Sequence, residues 1–507
     1  MKLPLFAIAL ATTVSLAAQE PPHPRAGSSC TQSRLVIVIT SIFDGEFLAA
    51  NTPQRLSVLV DDDCGNPVTQ ARVQAMFSDG EPTINLIATG NGRYEGTFTL
   101  RPSIAGQTLI RVLAVGPQFG TLIATATTAV QVLGLTLSQT GFTFQAVAGG
   151  PAPAPAELNL RLGSSAGLKV TAATAAGQSP SWLTLQTQVN SSMSATVTLQ
   201  ADARGLPLGD YYARLRVDSP DDPSSPQFAT IVLDVVATES AASATPRERL
   251  PAKPRQGPCS PTSLTPSIAI AAGGYEPAVS WPTPLIVTVL DDCQQPMPSG
   301  GVTSVSFSNG DPQMELVAQG SGIWTGTWTP QAAGKSVDIT ATATYAGSNP
   351  NLSGTSTLSF GLQSDAGAPL FVSGGVVSAA SYQSASQFAP GDMIAIFGGQ
   401  LANGSAAADI LPLPIQLQDT LALIGPLPVS LLYANGKQVN GILPYGLHPN
   451  QEYQLVVSNS SRISTPQTIR IVPSNIAIFS ANATGSGQAL VFHANSSDLV
   501  DEKHPAK

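Results

Sequence analysis

The chain is poor in charged residues and in the side chains that carry most enzyme chemistry. Charged residues make up 11% of its 507 residues, and there are four histidines and four cysteines. Its 23 lysines and arginines form no basic run and are outnumbered by 32 acidic residues. This argues against nucleic-acid binding, which needs a basic patch to neutralise phosphates. The histidines are scattered, so there is no H-E-x-x-H motif and no histidine cluster for a metal: His23, His448, His493 and His504.

Long apolar runs are missing beyond the N-terminus. The nearest candidate, Leu421 to Tyr433, is interrupted by Pro426 and Pro428. It falls short of the ~18 continuous apolar residues that a bilayer-spanning helix needs. The sequence therefore predicts no transmembrane segment.

The N-terminus has the pattern of a secretory signal peptide. Lys2 precedes an apolar stretch, and Ser15 and Ala17 are small residues at the −3 and −1 positions of a cleavage site. We therefore predict a signal peptide at residues 1–17 of a bacterial-type exported protein. The alternative is a buried N-terminal helix. The mature protein is expected to be secreted or held at the cell envelope, in the periplasm or on the outer surface.

The abundant residues favour short strands joined by turns. The chain has 45 glycines, 42 prolines and a hydrophobic fraction of 43%, enough apolar side chains for packed cores. At roughly 100–150 residues per domain, the length predicts about three to five domains. The predicted fold class is all-β, with tandem immunoglobulin-like β-sandwich domains.

The four cysteines mark a duplicated domain. Cys30 and Cys64 are 34 residues apart, and so are Cys259 and Cys293. In an exported chain this spacing predicts one disulfide in each copy. A zinc site is the alternative, but the pairs lack C-x-x-C spacing.

Sequence matches around the cysteines extend the duplication. We assign a first repeat to residues 30–134 and a second repeat to residues 259–362, and expect them to superpose. Phe77 and Phe307 should both face a core, as should Val58 and Val287. The matching segments are Leu56–Cys64 with Leu285–Cys293, Phe77–Pro82 with Phe307–Pro312, and Gly92–Phe98 with Gly322–Trp328.

The acidic turn of each repeat is a candidate calcium site, since hard cations take clustered carboxylates. The alternative is a solvated strand end, and no D-x-D-x-D-G calcium loop occurs. No other cofactor is predicted. The candidate ligands are Asp61, Asp62, Asp63, Asp79 and Glu81 in the first repeat, and Asp291, Asp292 and Asp311 in the second.

Residues 135–237 form a different unit. Trp182 precedes a Gly-Asp-Tyr hairpin at Gly209 to Tyr211, which resembles bacterial immunoglobulin-like domains of the BACON type. Many such domains accompany carbohydrate-active proteins, so the resemblance implies that Trp182 and Tyr211 are candidates for stacking on a sugar. The alternative is a role in the core. A Pro- and Ala-rich linker is predicted at residues 238–258.

Residues 371–507 resemble the C-terminal domain of secreted acidobacterial proteins of the Solibacter type, which implies another immunoglobulin-like domain. The resemblance implies no activity, and the family domain normally extends beyond the point where this chain stops. We expect an incomplete domain, an unpaired strand at residues 488–492 and a disordered polar tail. The likeness rests on Ser378–Tyr382, Ala389–Gly391, Ile394–Gly398, Leu401 and Ala402, Val439–Tyr445, and Pro473–Phe479.

No catalytic residue is predicted. Gly163 to Gly167 satisfies G-x-S-x-G, but strands rather than a strand and a helix are expected around Ser165. The favoured function is therefore a non-catalytic exported protein for adhesion, surface display or protein interaction. The alternatives are a carbohydrate-binding module protein and an extracellular hydrolase with an unrecognised site. The expected partner is an extracellular protein or glycan of unknown identity.

Overall fold

The structure is a computed structural model. It describes residues 34–505 except 45, 50–53, 79–82, 99, 101–106, 117–122, 221, 223, 238–258, 271–275, 298–300, 333, 346–351, 383–386, 450, 483–485 and 502. The predicted signal peptide, Cys30, Asp79, Glu81 and the linker at 238–258 lie outside the described residues.

The described chain consists of strands and connecting loops, and no helix occurs in it. The strands pair into sheets that face each other across apolar cores. The predicted fold class is confirmed, because the chain forms tandem all-β, immunoglobulin-like sandwiches.

The first repeat forms a sandwich whose two layers share one strand. The sheet order is β1-β3-β6-β5-β4-β7-β8-β2, and β5 pairs with β4 at one end and β6 at the other. β2 runs parallel to β8. The strands are β1 (Leu35–Ile39), β2 (Phe47–Ala49), β3 (Gln54–Asp62), β4 (Arg72–Phe77), β5 (Ile84–Gly90), β6 (Arg93–Phe98), β7 (Gln107–Val115) and β8 (Ile123–Leu133).

The middle domain packs the sheet β13-β14-β11-β9 against the sheet β10-β16-β15-β12. β16 is buried along almost its whole length, so both of its faces are covered. The strands are β9 (Thr136–Leu137), β10 (Gly141–Val147), β11 (Ala156–Arg161), β12 (Lys169–Ala173), β13 (Leu183–Ser191), β14 (Ser194–Ala201), β15 (Gly209–Asp218) and β16 (Gln227–Val236).

Apart from β2, the second repeat has the strand order of the first, split into β17-β18-β22-β21 and β20-β19-β23-β24. The two short strands β20 and β21 stand where the first repeat has the single strand β5. The strands are β17 (Leu264–Ile270), β18 (Thr283–Asp291), β19 (Val302–Phe307), β20 (Met314–Glu315), β21 (Val317–Gly320), β22 (Ile323–Trp328), β23 (Ser336–Tyr345) and β24 (Leu352–Gly361).

Matched residues of the two repeats occupy matched places. Val58 and Val287 are fully buried. Phe77 stacks on Phe98 with ring centroids 5.0 Å apart, and Phe307 stacks on the equivalent Trp328 at 4.6 Å. Each pair bridges the two layers of its sandwich, as the duplication predicts.

The C-terminal domain packs the sheet β25-β27-β33-β32-β28 against a second sheet ordered β26-β36-β34-β30-β29, on which β31 and β35 add short pairings. The strands are β25 (Leu370–Ser378), β26 (Gln387–Phe388), β27 (Met393–Gly399), β28 (Ala406–Ala407), β29 (Gln416–Leu417), β30 (Thr420–Ile424), β31 (Leu427–Pro428), β32 (Ser430–Ala434), β33 (Gln438–Ile442), β34 (Gln451–Asn459), β35 (Arg462–Ile463) and β36 (Gln467–Ile471).

The predicted strand at residues 488–492 is wrong. Ala489 and Phe492 each make one isolated bridge, to Ser480 and Leu499. Leu490 and Val491 are 40% and 43% exposed, so this segment has no sheet face on which to bury alternate side chains, and a regular strand is not stabilised. The disorder of the polar tail stays a prediction.

Candidate binding groove at the three-domain junction

The corner between β9 and β10 of the middle domain packs on the outer face of the second repeat. Thr325 Oγ1 donates a hydrogen bond of 2.8 Å to the Ser138 carbonyl. The Thr140 amide donates to Thr327 Oγ1 at 2.8 Å. Both threonines lie on β22, where alternation turns them away from the core of their own sandwich. These bonds fix the middle domain on the sheet of the second repeat.

A separate apolar cluster lies between the domains. At its centre, Trp281 of the second repeat donates its indole N–H to the Tyr212 hydroxyl at 2.9 Å. Both side chains are buried, and a buried indole needs such a partner. We call this cluster the junction core. Its buried members come from three domains: Tyr212, Phe228, Val232, Ala278, Trp281, Ala368, Val456 and Ile463.

The C-terminal domain also holds the middle domain through hydrogen bonds. Thr230 Oγ1 donates to the Ser464 carbonyl at 2.7 Å. The Phe228 amide donates to Gln454 Oε1. Gln454 is buried, so it satisfies a backbone donor on β16 that would otherwise be buried without a partner. Apolar packing and polar contacts thus join three sandwiches.

A groove lies where these three domains meet. It consists of two neighbouring cavities of about 330 Å³ and 260 Å³, both lined by Thr140, Met314 and Thr327. The larger has walls from all three domains, including Leu137, Val317 and Thr468. We call the two cavities together the junction groove. Domain interfaces are common places for ligand sites, and the larger cavity is in the usual size range.

The ionisable residues that line the junction groove are all acids: Asp311, Glu315 and Glu452. Asp311 has a structural role, since its carboxylate accepts from the Trp328 indole at 2.9 Å and from the Gln331 amide at 3.1 Å. Glu315 is exposed and Glu452 is half-buried. The lining therefore carries negative charge together with glutamine, threonine and serine side chains, and it suits a cationic or hydrogen-bonding ligand.

Two carboxyl groups lie directly opposite each other on β15 and β16, on the face of the sheet that carries the junction core. Asp210 pairs with Asp234 in the strand register. Burial raises the pKa of Asp234, against the hydrogen bond from Gln145. Burial also raises the pKa of Asp210. The negative charge of Asp234 raises this pKa further, and the positive charge of Arg462 lowers it.

These raised pKa values predict a pH dependence. A carboxyl whose pKa rises on folding favours the folded state below its unfolded pKa of about 4, and this contribution is lost as the pH rises through the folded pKa. We expect Asp234→Asn to be more stable relative to the wild type at pH 7 than at pH 4, as measured by denaturant unfolding. In Asp202→Asn the sign should reverse, because Arg204 lowers the pKa of Asp202 to about 2. A relative loss of stability in Asp234→Asn at pH 7 would contradict the prediction.

The structure contains the predicted Cys259–Cys293 disulfide, with Cα atoms 5.8 Å apart. Cys64 is also disulfide-bonded, and its predicted partner Cys30 lies outside the described residues. No free cysteine occurs in the described part of the chain.

The candidate calcium ligands prove to be turn-forming residues. Asp62 is buried, and one of its carboxylate oxygens accepts from the Cys64 and Asn66 amides at 2.9 and 2.8 Å. Asp291 repeats this geometry with the Cys293 and Gln295 amides, both at 2.8 Å. The alternative of a solvated strand end does not apply to these two carboxylates, which are buried, and calcium binding stays a prediction.

The other acidic candidates do not gather around a common centre. Asp292 accepts from the Thr262 amide and hydroxyl, and Asp61 and Asp63 lie half-buried beside the same turn as Asp62. Among the residues that the structure describes, no group of three or more His, Cys, Asp or Glu side chains is arranged to hold a metal ion.

The proposed sugar platform of Trp182 and Tyr211 is wrong, and the alternative of a core role applies. Trp182 is 5% exposed and belongs to the core of the middle domain. Tyr211 packs on the same core, and its hydroxyl donates to the Pro207 carbonyl at 2.9 Å. Tyr211 lies on the inner face of β15 with Ala213 and Leu215, so alternation directs its half-buried ring toward the core.

The residues singled out for catalysis are dispersed. Ser165 lies in the loop between β11 and β12, where its amide donates to the Ser192 carbonyl at 2.8 Å. The strand–helix geometry of a nucleophile elbow is absent there. His448 is exposed, and its amide donates to the Tyr453 hydroxyl at 3.0 Å.

No protein-family model matches the chain, and no curated protein matches it. Protocadherin gamma B7 extracellular cadherin domains 1–4 share 10% identity over 79% of this chain and 92% of that chain, with a TM-score of 0.20. Protocadherin gamma B2 extracellular cadherin domains 1–5 share 12% identity over 88% of each chain, with a TM-score of 0.18.

A third similar structure is Dpr2 Ig1-Ig2 in complex with DIP-Theta Ig1-Ig3, at 9% identity over 65% of this chain and 99% of that chain, with a TM-score of 0.19. Likenesses at this level of identity concern the fold class alone. Within the part of the chain that the structure describes, no helix is long and apolar enough to cross a membrane.

Sequence reasoning missed the junction groove and the residues that build it. One signal was available, because Trp281 stands where the first repeat has Thr52 between equivalent strands. A large aromatic residue in one copy alone indicates a contact that the other copy does not make. The run Ile231–Val236 was a second signal, since a nearly continuous apolar strand is typical of burial on both faces.

Proposed function

We propose that the protein is a non-catalytic extracellular binding protein whose junction groove takes an extended protein segment that carries lysine or arginine. One observation carries the proposal: three docked sandwiches form the groove, and its ionisable lining residues are all acids. The predicted signal peptide and the likeness to secreted Solibacter-type proteins support export. The partner is expected to be another extracellular protein.

The groove is suited to binding because the fold holds its walls in place. The Tyr212–Trp281 hydrogen bond and the threonine contacts of β22 are internal to the docked domains. A ligand therefore meets a preformed site and does not have to order it, which saves entropy on binding. Cavities of this size accept individual side chains rather than a folded surface, which favours an extended segment.

Charge then selects the ligand. Glu315 of the second repeat is exposed in the groove, so a cationic side chain beside it would gain from its charge. Glu452 of the C-terminal domain lines the same cavity and adds negative charge there, although it already has an interaction partner. Because Glu315 is exposed, this attraction is screened by salt, and affinity should fall as ionic strength rises. The Thr468 hydroxyl and the side-chain oxygen of Gln227 supply hydrogen bonds for a peptide backbone.

The test is selection from a random peptide phage library on the immobilised full-length protein. We expect the selected peptides to be enriched in lysine and arginine. Their Kd, measured by fluorescence anisotropy, should rise at least about tenfold in the Glu315→Gln/Glu452→Gln variant, the loss of about 1.4 kcal/mol. Glu157→Gln is the matched control, because Glu157 is exposed on β11 outside the groove. Selection of peptides without basic residues, or equal binding by the double variant, would contradict the proposal.

A further inference from the structure

The edge strand β1 of the first repeat is exposed and apolar. β1 ends its sheet: it pairs with β3, and no other described strand pairs with it, although β8 of the facing layer lies close by. Its five residues are Leu-Val-Ile-Val-Ile, and Val36 and Val38 are 39% and 45% exposed. Long apolar edges are sites where another chain can add a strand, and proteins usually protect them.

The hydrogen-bond phase of β1 shows which backbone groups face outward. The Asp63 amide donates to the Arg34 carbonyl, and the Thr40 amide donates to the Ser57 carbonyl. The even-numbered residues therefore form the backbone hydrogen bonds to β3. The odd-numbered residues Leu35, Ile37 and Ile39 direct their N–H and C=O groups toward the open edge.

The second repeat carries the protection that the first lacks. Its equivalent strand β17 exposes the same alternate positions, with Pro266 and Ile268 buried where Ile37 and Ile39 are half-buried. The Asp292 amide donates to the Ser263 carbonyl, as the Asp63 amide donates to the Arg34 carbonyl. Pro266 stands at the position of Ile37, so the outward N–H is missing there. Thr265 and Ser267 replace Val36 and Val38. Proline and polar residues are the ordinary means of blocking an edge.

We infer that β1 pairs with β1 of a second copy of this chain. An antiparallel pairing with its two-fold axis at Ile37 places Ile37 opposite Ile37, and Leu35 opposite Ile39. All of these residues direct their backbone N–H and C=O groups to the open edge. In this register the donors of one copy therefore face the acceptors of the other. The same register places Val36 against Val38 of the other copy on the outer face.

Charge is compatible with this pairing. The strand has no charged residue between Arg34 and Asp44, and the register brings Arg34 level with the neutral Thr40 of the other copy. No like charges therefore meet across the paired strands. The two-fold axis closes the contact at two chains, which yields a dimer rather than a fibre. Other occupants of this edge would give a monomer or larger assemblies in the test.

Sedimentation velocity of the purified mature protein over a concentration series tests the inference. We expect a reversible monomer–dimer equilibrium for the wild type, and an increase in the dimer Kd of at least about tenfold in Ile37→Pro and in Val38→Lys. Ile37→Pro removes an outward N–H without touching a bond to β3, as Pro266 does in the second repeat. Ser267→Lys is the matched control and should leave the dimer unchanged.

The register is tested by cysteine cross-linking under oxidising conditions. Opposed residues of a non-hydrogen-bonded antiparallel pair have Cα atoms about 4.5 Å apart, within disulfide range. We expect Val36→Cys mixed with Val38→Cys to form a covalent dimer, and each variant alone to form much less. A wild type that stays monomeric or forms only polydisperse aggregates would overturn the inference. So would an Ile37→Pro variant that dimerises as tightly as the wild type, or equal cross-linking by one variant alone.

Discussion

Replacing Cys259 and Cys293 by serine is expected to lower the free energy of unfolding of the second repeat by about 3–4 kcal/mol. The two residues are 34 apart in sequence, and the disulfide removes the entropy of that loop from the unfolded chain. A typical domain is stable by about 5–15 kcal/mol, so the loss is a large share of the total. The Asp291 carboxylate still holds the turn at Cys293, and we expect the fold to persist.

Tryptophan fluorescence during urea unfolding measures this effect locally. The chain has four tryptophans, and all but Trp182 lie in the second repeat. The Asp291→Ala variant measures the contribution of the turn to stability apart from that of the disulfide. It removes the carboxylate that accepts hydrogen bonds from the Cys293 and Gln295 amides. An unchanged unfolding midpoint in the double serine variant would show that the disulfide does not constrain this domain.

Gly322→Ala is expected to destabilise the second repeat by about 3 kcal/mol or more, the sum of left-handed backbone strain and a steric clash. Gly322 has φ +73°, and an added Cβ would lie 2.5 Å from the Val289 carbonyl oxygen. That carbonyl belongs to β18, and the Val289 amide donates to the Gly322 carbonyl at 2.8 Å. The turn and the strand are thus too close for a side chain.

The neighbouring Gly320 is the control for this prediction. It has φ +91°, but nothing lies within 4 Å of an added Cβ. Gly320→Ala should therefore lower the free energy of unfolding only through backbone strain, by about 1–2 kcal/mol. Urea unfolding of the two variants gives the comparison, and equal losses would show that the contact with Val289 does not matter.

The duplicated hairpin shows why much of the fold could be predicted. Asn91 and Gly92 both have positive φ, as do Ser321 and Gly322, which is the two-residue turn that an Asn-Gly pair between strands favours. Such local signals, together with the alternation of Val58 and its neighbours, depend on near residues in the chain. They are therefore readable in a single sequence.

The junction groove could not be predicted in the same way. Tyr211 and Tyr212 are adjacent, yet one packs into its own core and the other bonds Trp281 of another domain. Alternation predicts that they face opposite sides of β15, but not what covers the outer side. Gln454 and Phe228 are 226 residues apart, and no local pattern indicates such a contact. Which sandwich docks on which face depends on side chains distributed over three domains.

Hydrogen exchange at the Phe228 amide tests most directly whether the three domains form one body around the groove. β10 pairs with β16 only from Thr230 onward, so on this side the Phe228 amide depends on Gln454 of the C-terminal domain. We predict strong protection of this amide in the wild type and fast exchange in Gln454→Ala, with the Ile231 amide protected in both. Fast exchange of the wild-type Phe228 amide would show that the domains do not stay docked and would contradict the account.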